Sequence, residues 1–260
     1  MGSAMVAGLL DQGNHDIIVI DPAPDAAKLA GPRVSVRSGI LGLPPDCHPE
    51  AILFAVKPQM AAAVLPAYWD IAKGAVAISI MAGITVASLR FWLGDGVTIV
   101  RAMPNTPAAI RQGITVATTS SVDAAPRELA GMILGSVGEV AWVEEESLLD
   151  AVTAVSGSGP AYVFLLAECM EQAGIKQGLP ADLARRLARQ TVTGAGNLLA
   201  ADPSSAELLR RNVTSPGGTT AAALAVLLNT FPRALDEAIA AATARSRELS
   251  GGAGPPGLGN

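Results

Sequence analysis

The first half of the chain alternates short apolar runs with stretches of helical periodicity. The predicted strands are 17–20, 34–36, 51–56, 76–81, 97–102 and 113–118. The predicted helices between and after them are 3–10, 59–69, 85–93 and 124–136. Near-continuous apolar strands that alternate with helices are typical of a parallel sheet whose two faces are both covered.

From about Glu144 onward the pattern is helical, with clear start and stop signals. Pro160 and Pro180 stand where first turns begin, and Gly174 stands just past a helix end. The predicted helices are 161–173, 180–201, one that begins in the capping-box sequence 204–207, 219–228 and 232–249. These patterns predict an α/β domain over 1–146, a helical domain over 147–250 and a disordered Gly/Pro-rich tail over 251–260.

Composition narrows the functional classes. The chain has 260 residues, is 50% hydrophobic and carries a net charge of −5 with no basic cluster, so neither nucleic acid nor an anionic membrane is an expected partner. Cys47 and Cys169 lie far apart, and neither joins His15 or His48 in a metal-ligand spacing. We therefore expect no metal, no disulfide and a reducing, cytoplasmic location. The longest uncharged run, 212–232, is interrupted by Pro-Gly-Gly and does not predict a membrane span.

The opening stretch resembles a dinucleotide-binding βαβ unit from its helix onward. Gly2 precedes a small-residue helix over 3–10, and the strand 17–20 leads into Asp21. A glycine turn at such a helix start lies close to the pyrophosphate of a cofactor, and an acidic residue after the second strand binds ribose hydroxyls. Only one glycine of the turn is present, and no strand comes before it.

Four further stretches place polar groups at strand ends and helix starts, where open α/β sheets bind ligands. They are 55–59 (AVKPQ), 101–107 (RAMPNTP), 155–162 (VSGSGPAY) and 213–220 (VTSPGGTT). Lys57 is able to contact a cofactor phosphate or ribose, although the residues alone favour a solvated loop lysine. The stretch 101–107 is as compatible with a rigid structural elbow between its prolines as with a ligand site. The glycines of 155–162 favour close backbone packing ahead of the next helix over a role in chemistry.

The last of these stretches predicts an anion site. Gly217 and Gly218 allow a tight turn directly before a helix, so unpaired N–H groups and the helix dipole favour a negative ligand. Ser215, Thr219 and Thr220 add hydroxyl groups. Because the stretch contains no Lys or Arg, a small carboxylate suits it better than a triphosphate. A plain loop-to-helix cap is the alternative, and the pattern alone does not separate the two.

Taken together, these stretches resemble the pyrroline-5-carboxylate reductase family, in order and over nearly the whole chain. The matching blocks are Met1-Gly2, 55–59, 79–84 (SIMAGI), 101–107, 150–164 (DAVTAVSGSGPAYVF) and 213–220. The resemblance implies a Rossmann-like doubly wound parallel sheet, here without its first strand, followed by an all-α dimerisation domain. It also implies hydride transfer from NADPH or NADH to the C=N carbon of 1-pyrroline-5-carboxylate, giving L-proline, in a homodimer or higher homo-oligomer.

The resemblance also implies roles for particular residues. Thr220 would be the catalytic hydroxyl that meets the ring nitrogen, while Ser215, Gly218 and Thr219 would hold the substrate carboxylate. Glu146 matches a position near the substrate in some members. The residues implied on the cofactor side are Gly2, Val56, Lys57, Ala82 and Asn212.

Two features depart from the family pattern. Some members have a glutamate before a His-Pro pair near the substrate amine, whereas this chain has Ala-Ala-Asp-Pro at 200–203. Many members use NADPH, whereas Asp21 is expected to bind ribose hydroxyls and to repel the extra phosphate of NADPH. We therefore expect a lean toward NADH.

The missing first strand leaves alternatives open. Its buried apolar side chains would contribute on the order of 10 kcal/mol, comparable to the net stability of a domain. We expect this strand and its glycines to precede Met1 in the intact protein. One alternative is an inactive remnant that only dimerises. Another is a β-hydroxyacid dehydrogenase, although its catalytic lysine would have to be Lys176, which is predicted to lie in a turn between two glycines.

Overall fold

The strands of the first half form where the apolar runs predict them. The computed structural model describes residues 1–13, 15–119 and 121–252. Its strands are β1 Ile17–Ile20, β2 Val34–Arg37, β3 Ala51–Phe54, β4 Val76–Ser79, β5 Thr98–Met103, β6 Gly113–Thr119 and β7 Gly138–Trp142. Of these strands, only β7 is not predicted by the sequence pattern, because it begins at a glycine, Gly138, directly after a predicted helix.

The strands pair as two sheets. β1 pairs with β2 in parallel, and the second sheet has the order β3-β4-β5-β6-β7. The Rossmann-like parallel arrangement is confirmed, with β5 and β6 as one antiparallel pair that the pattern does not predict. Residues 104–112, which connect this pair, are too few for the crossover helix that a parallel connection needs. They contain a 3-10 turn, Thr106–Ile110, followed by Arg111 in the left-handed region at φ 58°.

The β1–β2 pair is a sheet of its own. Among the residues that the structure describes, no strand joins β1 to β3, so each keeps one edge without a strand partner. Ile18 in β1 is 39% exposed, whereas every residue of β4 is buried. The backbone hydrogen bonds of the β1–β2 pair are therefore less protected than those inside the larger sheet.

Helices cover both faces of the larger sheet. Those of this half are α1 Gly2–Gln12, α2 Ala61–Val64, α3 Val86–Leu93, α4 Ala124–Gly135 and α5 Leu148–Val152. Along β4, Ala77 belongs to a core cluster with Leu89 of α3, whereas Ile78 belongs to a cluster with Met5 of α1 and Leu134 of α4. Because consecutive strand residues point to opposite faces, the sheet is buried from both sides, as predicted.

The helix predicted over 59–69 is broken into short turns. Pro58–Met60 and Leu65–Tyr68 are 3-10 turns, and only α2 between them is α-helical. Pro66 lacks an amide hydrogen, and its ring clashes with the carbonyl one turn earlier, so a longer α-helix does not continue through it. Leu65 is nevertheless fully buried, so the segment still packs into the core as its apolar pattern requires.

The described chain divides into two units. The first holds Met1–Gly157 together with the chain from Ala242 onward, and the second holds Ser158–Ala241. This division differs from the predicted boundaries at 146 and 250. The first unit keeps α5 and a π-helical turn, Thr153–Gly157, and also the last turns of the C-terminal helix.

The second unit is all-helical, as predicted. Its helices are α6 Gly159–Lys176, α7 Ala181–Ala201, α8 Ala206–Asn212 and the greater part of α9 Thr219–Gly252. α6 and α7 approach closely at Gly174, where an added Cβ would lie 3.4 Å from the Ala184 Cβ. α8 begins within the predicted stretch 204–207, one residue later than a capping box from Ser204 to Glu207 requires: Ser205 is the N-cap, and its Oγ accepts a hydrogen bond from Leu208 N at 3.2 Å.

A single 34-residue helix, α9, replaces the two helices predicted over 219–228 and 232–249. Pro232 removes one backbone hydrogen bond, at a cost of about 3 kcal/mol, and the other bonds of so long a helix allow it to continue. The predicted break is therefore wrong. α9 ends at Gly252, inside the tail that was expected to be disordered, and residues 253–260 lie outside the described part of the chain.

The helices of the second unit expose many large apolar side chains. No residue of α6 is fully buried, and Phe164 and Val226 are 66% and 68% exposed. We call these side chains the apolar helix surface: Val163, Phe164, Leu165, Leu166, Leu187, Leu198, Leu199, Val226, Leu227, Leu228 and Phe231. So much uncovered apolar surface is typical of a protein that associates with another chain.

Candidate active site

In the first unit, the start of α1 adjoins the end of β3. A Cβ added to Gly2 would lie 3.4 Å from the Ala55 Cβ, and Val56 and Lys57 follow directly, the first half-buried and the second exposed. A helix N-terminus beside the carboxyl end of a parallel strand is the usual place for a cofactor pyrophosphate. Three of the residues predicted on the cofactor side, Gly2, Val56 and Lys57, are therefore brought together.

The next strand end carries Ala82, which is exposed between β4 and α3. Gly83 beside it is buried, with φ +74°, and an added Cβ would lie 3.3 Å from the Leu249 Cβ in the last turns of α9. Ser79 Oγ accepts a hydrogen bond from Met81 N at 3.4 Å. We call Ile80–Thr85 the cofactor loop; a side chain at Gly83 would disturb its packing.

Replacing Gly83 with alanine is expected to lower the free energy of unfolding by about 1–3 kcal/mol, because L residues resist this φ and the methyl group would press on Leu249. Gly131→Ala is the matched control. In α4 the nearest atom to its added Cβ is 3.9 Å away, on Trp142, and alanine is favoured inside a helix. Denaturant unfolding should give effects of opposite sign, and an unchanged stability for G83A would contradict the packing described.

Asp21 lies directly after β1 and is exposed. Its Oδ1 accepts a hydrogen bond from Ala23 N at 2.8 Å. Arg37, paired with Ile20 across the strands, donates to the Gly42 carbonyl at 3.0 Å and to the Val36 carbonyl at 2.9 Å. The guanidinium thus bonds its own loop, and the exposed charge at the end of β1 is the carboxylate, which suits ribose hydroxyls.

The predicted anion site lies in the second unit, at the start of α9. Gly217 has φ +71°, and Gly218 N donates to the Ser215 carbonyl at 3.1 Å. A Cβ on Gly218 would lie 2.7 Å from Ser215 Oγ and 3.2 Å from the Ser215 carbonyl oxygen, so a side chain there would require Ser215 to shift. Ser215 and Thr219 are exposed and Thr220 is half-buried, so their hydroxyls stand beside the first, unpaired N–H groups of a long helix. Asn212 is the exposed last residue of α8.

Glu146 has partners that the sequence did not predict. Its Oε1 accepts hydrogen bonds from Arg101 Nη1 at 2.6 Å and from Val86 N at 2.8 Å. The predicted substrate contact of Glu146 therefore competes with a buried ion pair. The signal for that pair was present in the sequence, since Arg101 is the charged residue inside an otherwise apolar strand.

Two of the four polar stretches serve structural roles. Asn105 Oδ1 accepts a hydrogen bond from Ile114 N at 3.0 Å and so closes the proline elbow. Gly157 lies against Met103, where an added Cβ would be 2.6 Å from the Met103 Cε, as close backbone packing predicts. Ser156 Oγ is buried without a hydrogen-bond partner among the described residues, a feature that the sequence reading did not single out.

The remaining candidates from the sequence are Asp202, the two cysteines and Lys176. Asp202, in the stretch that departs from the family, accepts a hydrogen bond from Ser204 N at 2.8 Å, and this bond lowers the pKa of its carboxyl. Cys47 is half-buried and Cys169 is exposed, and both are free thiols. Within the described ranges, no group of three His, Cys, Asp or Glu side chains is placed to hold a metal ion. Lys176 is the last residue of α6, not part of a turn.

The chain is similar to known reductases over almost its whole length. Residues 146–249 match the family described as pyrroline-5-carboxylate reductase dimerisation, and residues 1–83 match NADP oxidoreductase coenzyme F420-dependent. A pyrroline-5-carboxylate reductase from Pseudomonas aeruginosa is 41% identical over 96% of this chain and 93% of its own length. Another, from Haemophilus influenzae, is 39% identical over 96% of this chain and 94% of its own length.

Solved structures of pyrroline-5-carboxylate reductases are similar to this chain as well. The pyrroline-5-carboxylate reductase from Coxiella burnetii matches with a TM-score of 0.86 and 34% identity, covering 96% of this chain and 94% of its own. The Plasmodium falciparum pyrroline carboxylate reductase, solved with NADP bound, matches with a TM-score of 0.79 and 29% identity, covering 96% of both chains. The Rossmann-like unit and the helical unit thus define an NAD(P)H-dependent oxidoreductase that forms homo-oligomers. The chain belongs to the pyrroline-5-carboxylate reductase family.

One segment of the described chain, Leu148–Lys176, is long and apolar enough to cross a membrane by length and composition. It comprises α5, the π-helical turn and α6, and it lies within the match to the dimerisation family. Its exposed apolar residues, such as Phe164, belong to the apolar helix surface. Exposed apolar side chains of this kind are typical of a region that associates with another chain.

Proposed function

We propose that this chain reduces 1-pyrroline-5-carboxylate to L-proline. A reduced nicotinamide, when bound, would supply the hydride and become oxidised. The C=N carbon of the protonated imine would accept that hydride, and the π electrons of the bond would move onto the ring nitrogen, which keeps its proton as the secondary amine of proline. The observation that carries the proposal is the glycine-led start of α9, where hydroxyls lie beside unpaired N–H groups, an arrangement that suits a small carboxylate.

The residues of this start have separate tasks. Ser215 and Thr219 hold the substrate carboxylate through their hydroxyls, the Thr219 N–H and the helix dipole. Gly218 lines the same site and shapes the turn, because its own N–H is donated to the Ser215 carbonyl. Thr220 directs its hydroxyl to the ring nitrogen and keeps the C=N group polarised while the hydride arrives. Because a protonated imine already attracts hydride, no stronger acid is needed, and most of the rate comes from orientation and exclusion of water.

Most of the residues that would hold the cofactor lie in the first unit. Gly2 lets the start of α1 approach the pyrophosphate, and its closeness to Ala55 supports the fit. Val56, Lys57 and Ala82 follow the ends of β3 and β4, on the edge where the nicotinamide half binds. Asn212 is included as a weaker cofactor contact. We also propose that the homo-oligomer is built from dimers and that the enzyme is cytoplasmic.

The function is tested by following the absorbance change on NADH or NADPH oxidation with 1-pyrroline-5-carboxylate as the substrate. Oxidation that requires the imine and yields proline supports the proposal. Cofactor binding and oligomers without turnover would instead favour an inactive remnant that only dimerises. Turnover with a β-hydroxyacid in place of the imine would favour the other alternative.

We propose NADH as the preferred cofactor, although the Plasmodium relative was solved with NADP. Replacing Asp21 with asparagine is expected to shift the ratio of kcat/KM toward NADPH by about tenfold, since a nearby carboxylate repels the added phosphate. Asp25→Asn is the matched control, because Asp25 is an exposed carboxylate of the same loop that pairs with Lys28. A strong NADPH preference of the unmodified chain would contradict the proposal.

A further inference from the structure

We propose that Glu146 is a positioning residue that holds the cofactor loop, not a contact of the substrate. The proposal rests on the proposed function in one respect, since it takes Ala82 in that loop as a cofactor contact. Every residue in the argument belongs to the first unit.

The carboxylate of Glu146 ties two elements together. Its Oε1 accepts from Arg101 Nη1 in β5 and from Val86 N, the first residue of α3. The Arg101 side chain is 7% exposed and that of Glu146 is 33% exposed. The ion pair is therefore partly withdrawn from water, where a charged hydrogen bond is stronger than at the surface.

The bond to Val86 satisfies a group that the helix itself leaves unpaired. The first N–H groups of a helix have no intrahelical acceptor, and a negative charge there also interacts favourably with the helix dipole. Thr85 Oγ1 already caps the same end by accepting from Ser88 N at 3.1 Å. Glu146 thus completes the capping of α3 from a distant part of the chain.

The bond to Arg101 fixes the other side of the cofactor loop. Arg101 is the partner of Ser79 in the β4–β5 register, and Ser79 Oγ accepts from Met81 N at the loop's start. The cofactor loop therefore begins beside the strand position of Arg101 and leads directly into Val86. The Oε1 atom of Glu146 bonds both Arg101 and Val86. Ala82 lies between these two fixed points.

The same pairing argues against direct substrate binding by Glu146. Its charge is balanced by Arg101, and its Oε1 holds both Arg101 and Val86, so turning the carboxylate toward a substrate amine would leave a buried arginine without its counter-ion. That loss is costly because Arg101 stays charged at any ordinary pH. Positioning, not contact, is the role that these bonds support.

The test compares Glu146→Ala and Glu146→Gln with Glu145→Ala, which changes an exposed neighbour in the same acidic run. For E146A we expect the Kd and KM for NADH and NADPH to rise about tenfold, the effect of losing one charged hydrogen bond, with the KM for 1-pyrroline-5-carboxylate unchanged. For E146Q, the Kd and KM for NADH and NADPH should lie between those of E146A and the unmodified chain, because the glutamine amide oxygen is still able to accept a hydrogen bond from Val86 N. E145A should match the unmodified chain.

Amide hydrogen exchange gives a second readout that needs no turnover. Exchange at residues 81–88 is expected to accelerate in E146A and not in E145A. A raised KM for the imine with unchanged cofactor binding would overturn the proposal in favour of a substrate contact, and unchanged exchange would also overturn it. If the unmodified chain binds cofactor without reducing the imine, the proposed function fails while the weaker cofactor binding of E146A still supports the positioning role.

Discussion

Thr220→Val is expected to lower kcat for reduction of 1-pyrroline-5-carboxylate by about 10²-fold, while the KM for the cofactor stays unchanged. Valine keeps the shape of threonine and removes the hydroxyl that meets the ring nitrogen. Because Thr220 is half-buried in the first turn of α9, its neighbours tolerate a side chain of equal size. The effect should therefore fall on the chemical step, measured by steady-state kinetics with saturating cofactor.

Two further variants make this result specific. Thr220→Ser restores a hydroxyl and should recover most of the lost rate. Thr219→Val removes the neighbouring, exposed hydroxyl and should raise the KM for the imine with a smaller effect on kcat. If T220V turned over at the rate of the unmodified chain, Thr220 would have no role in the proton side of the reaction.

Val226→Asp is expected to dissociate the homo-oligomer. Val226 is 68% exposed within the apolar helix surface, and a symmetric interface would bury the new charge from both copies. Burying unpaired charge there should cost about 4 kcal/mol or more, which is about a thousandfold in the dissociation constant. Sedimentation velocity over a range of protein concentrations measures the change.

Leu41→Asp is the control for that experiment. Leu41 is 99% exposed but lies in the first unit, outside the helical surface that matches the dimerisation family. Its substitution should leave the sedimentation coefficient unchanged. An oligomer that survives V226D at all concentrations would place the interface on another part of the chain.

The sequence predicts the layers of this fold better than its connections. The apolar runs locate β1 to β6 because strand burial is a local property of side chains. The antiparallel β5–β6 pair depends instead on the length of 104–112, and β7 depends on Gly138 beginning a strand at φ +142°. Neither is visible in apolar periodicity. Pro232 predicts a break in α9 because proline is a strong local signal for the end of a helix. The many other hydrogen bonds of this long helix outweigh that signal.

Prediction of the candidate site from the sequence likewise succeeds for local features and fails for contacts that only the fold creates. The turn at Gly217 and Gly218 is predictable, since its geometry follows from neighbours in the chain. The bonds of Glu146 are not, because Arg101 and Val86 lie 45 and 60 positions away and meet it only in the folded sheet. The resemblance to a family supplied a role for Glu146, whereas the contacts support a different one.

The small β1–β2 sheet has a consequence for how the first unit opens. Two-stranded sheets contribute little local stability, and this one carries Asp21 at its end. In this chain, amides of 17–20 and 34–37 should therefore exchange with solvent at a lower opening free energy than those of β4. If Asp21 binds the adenosine ribose as we propose, a bound dinucleotide should slow the exchange of these amides.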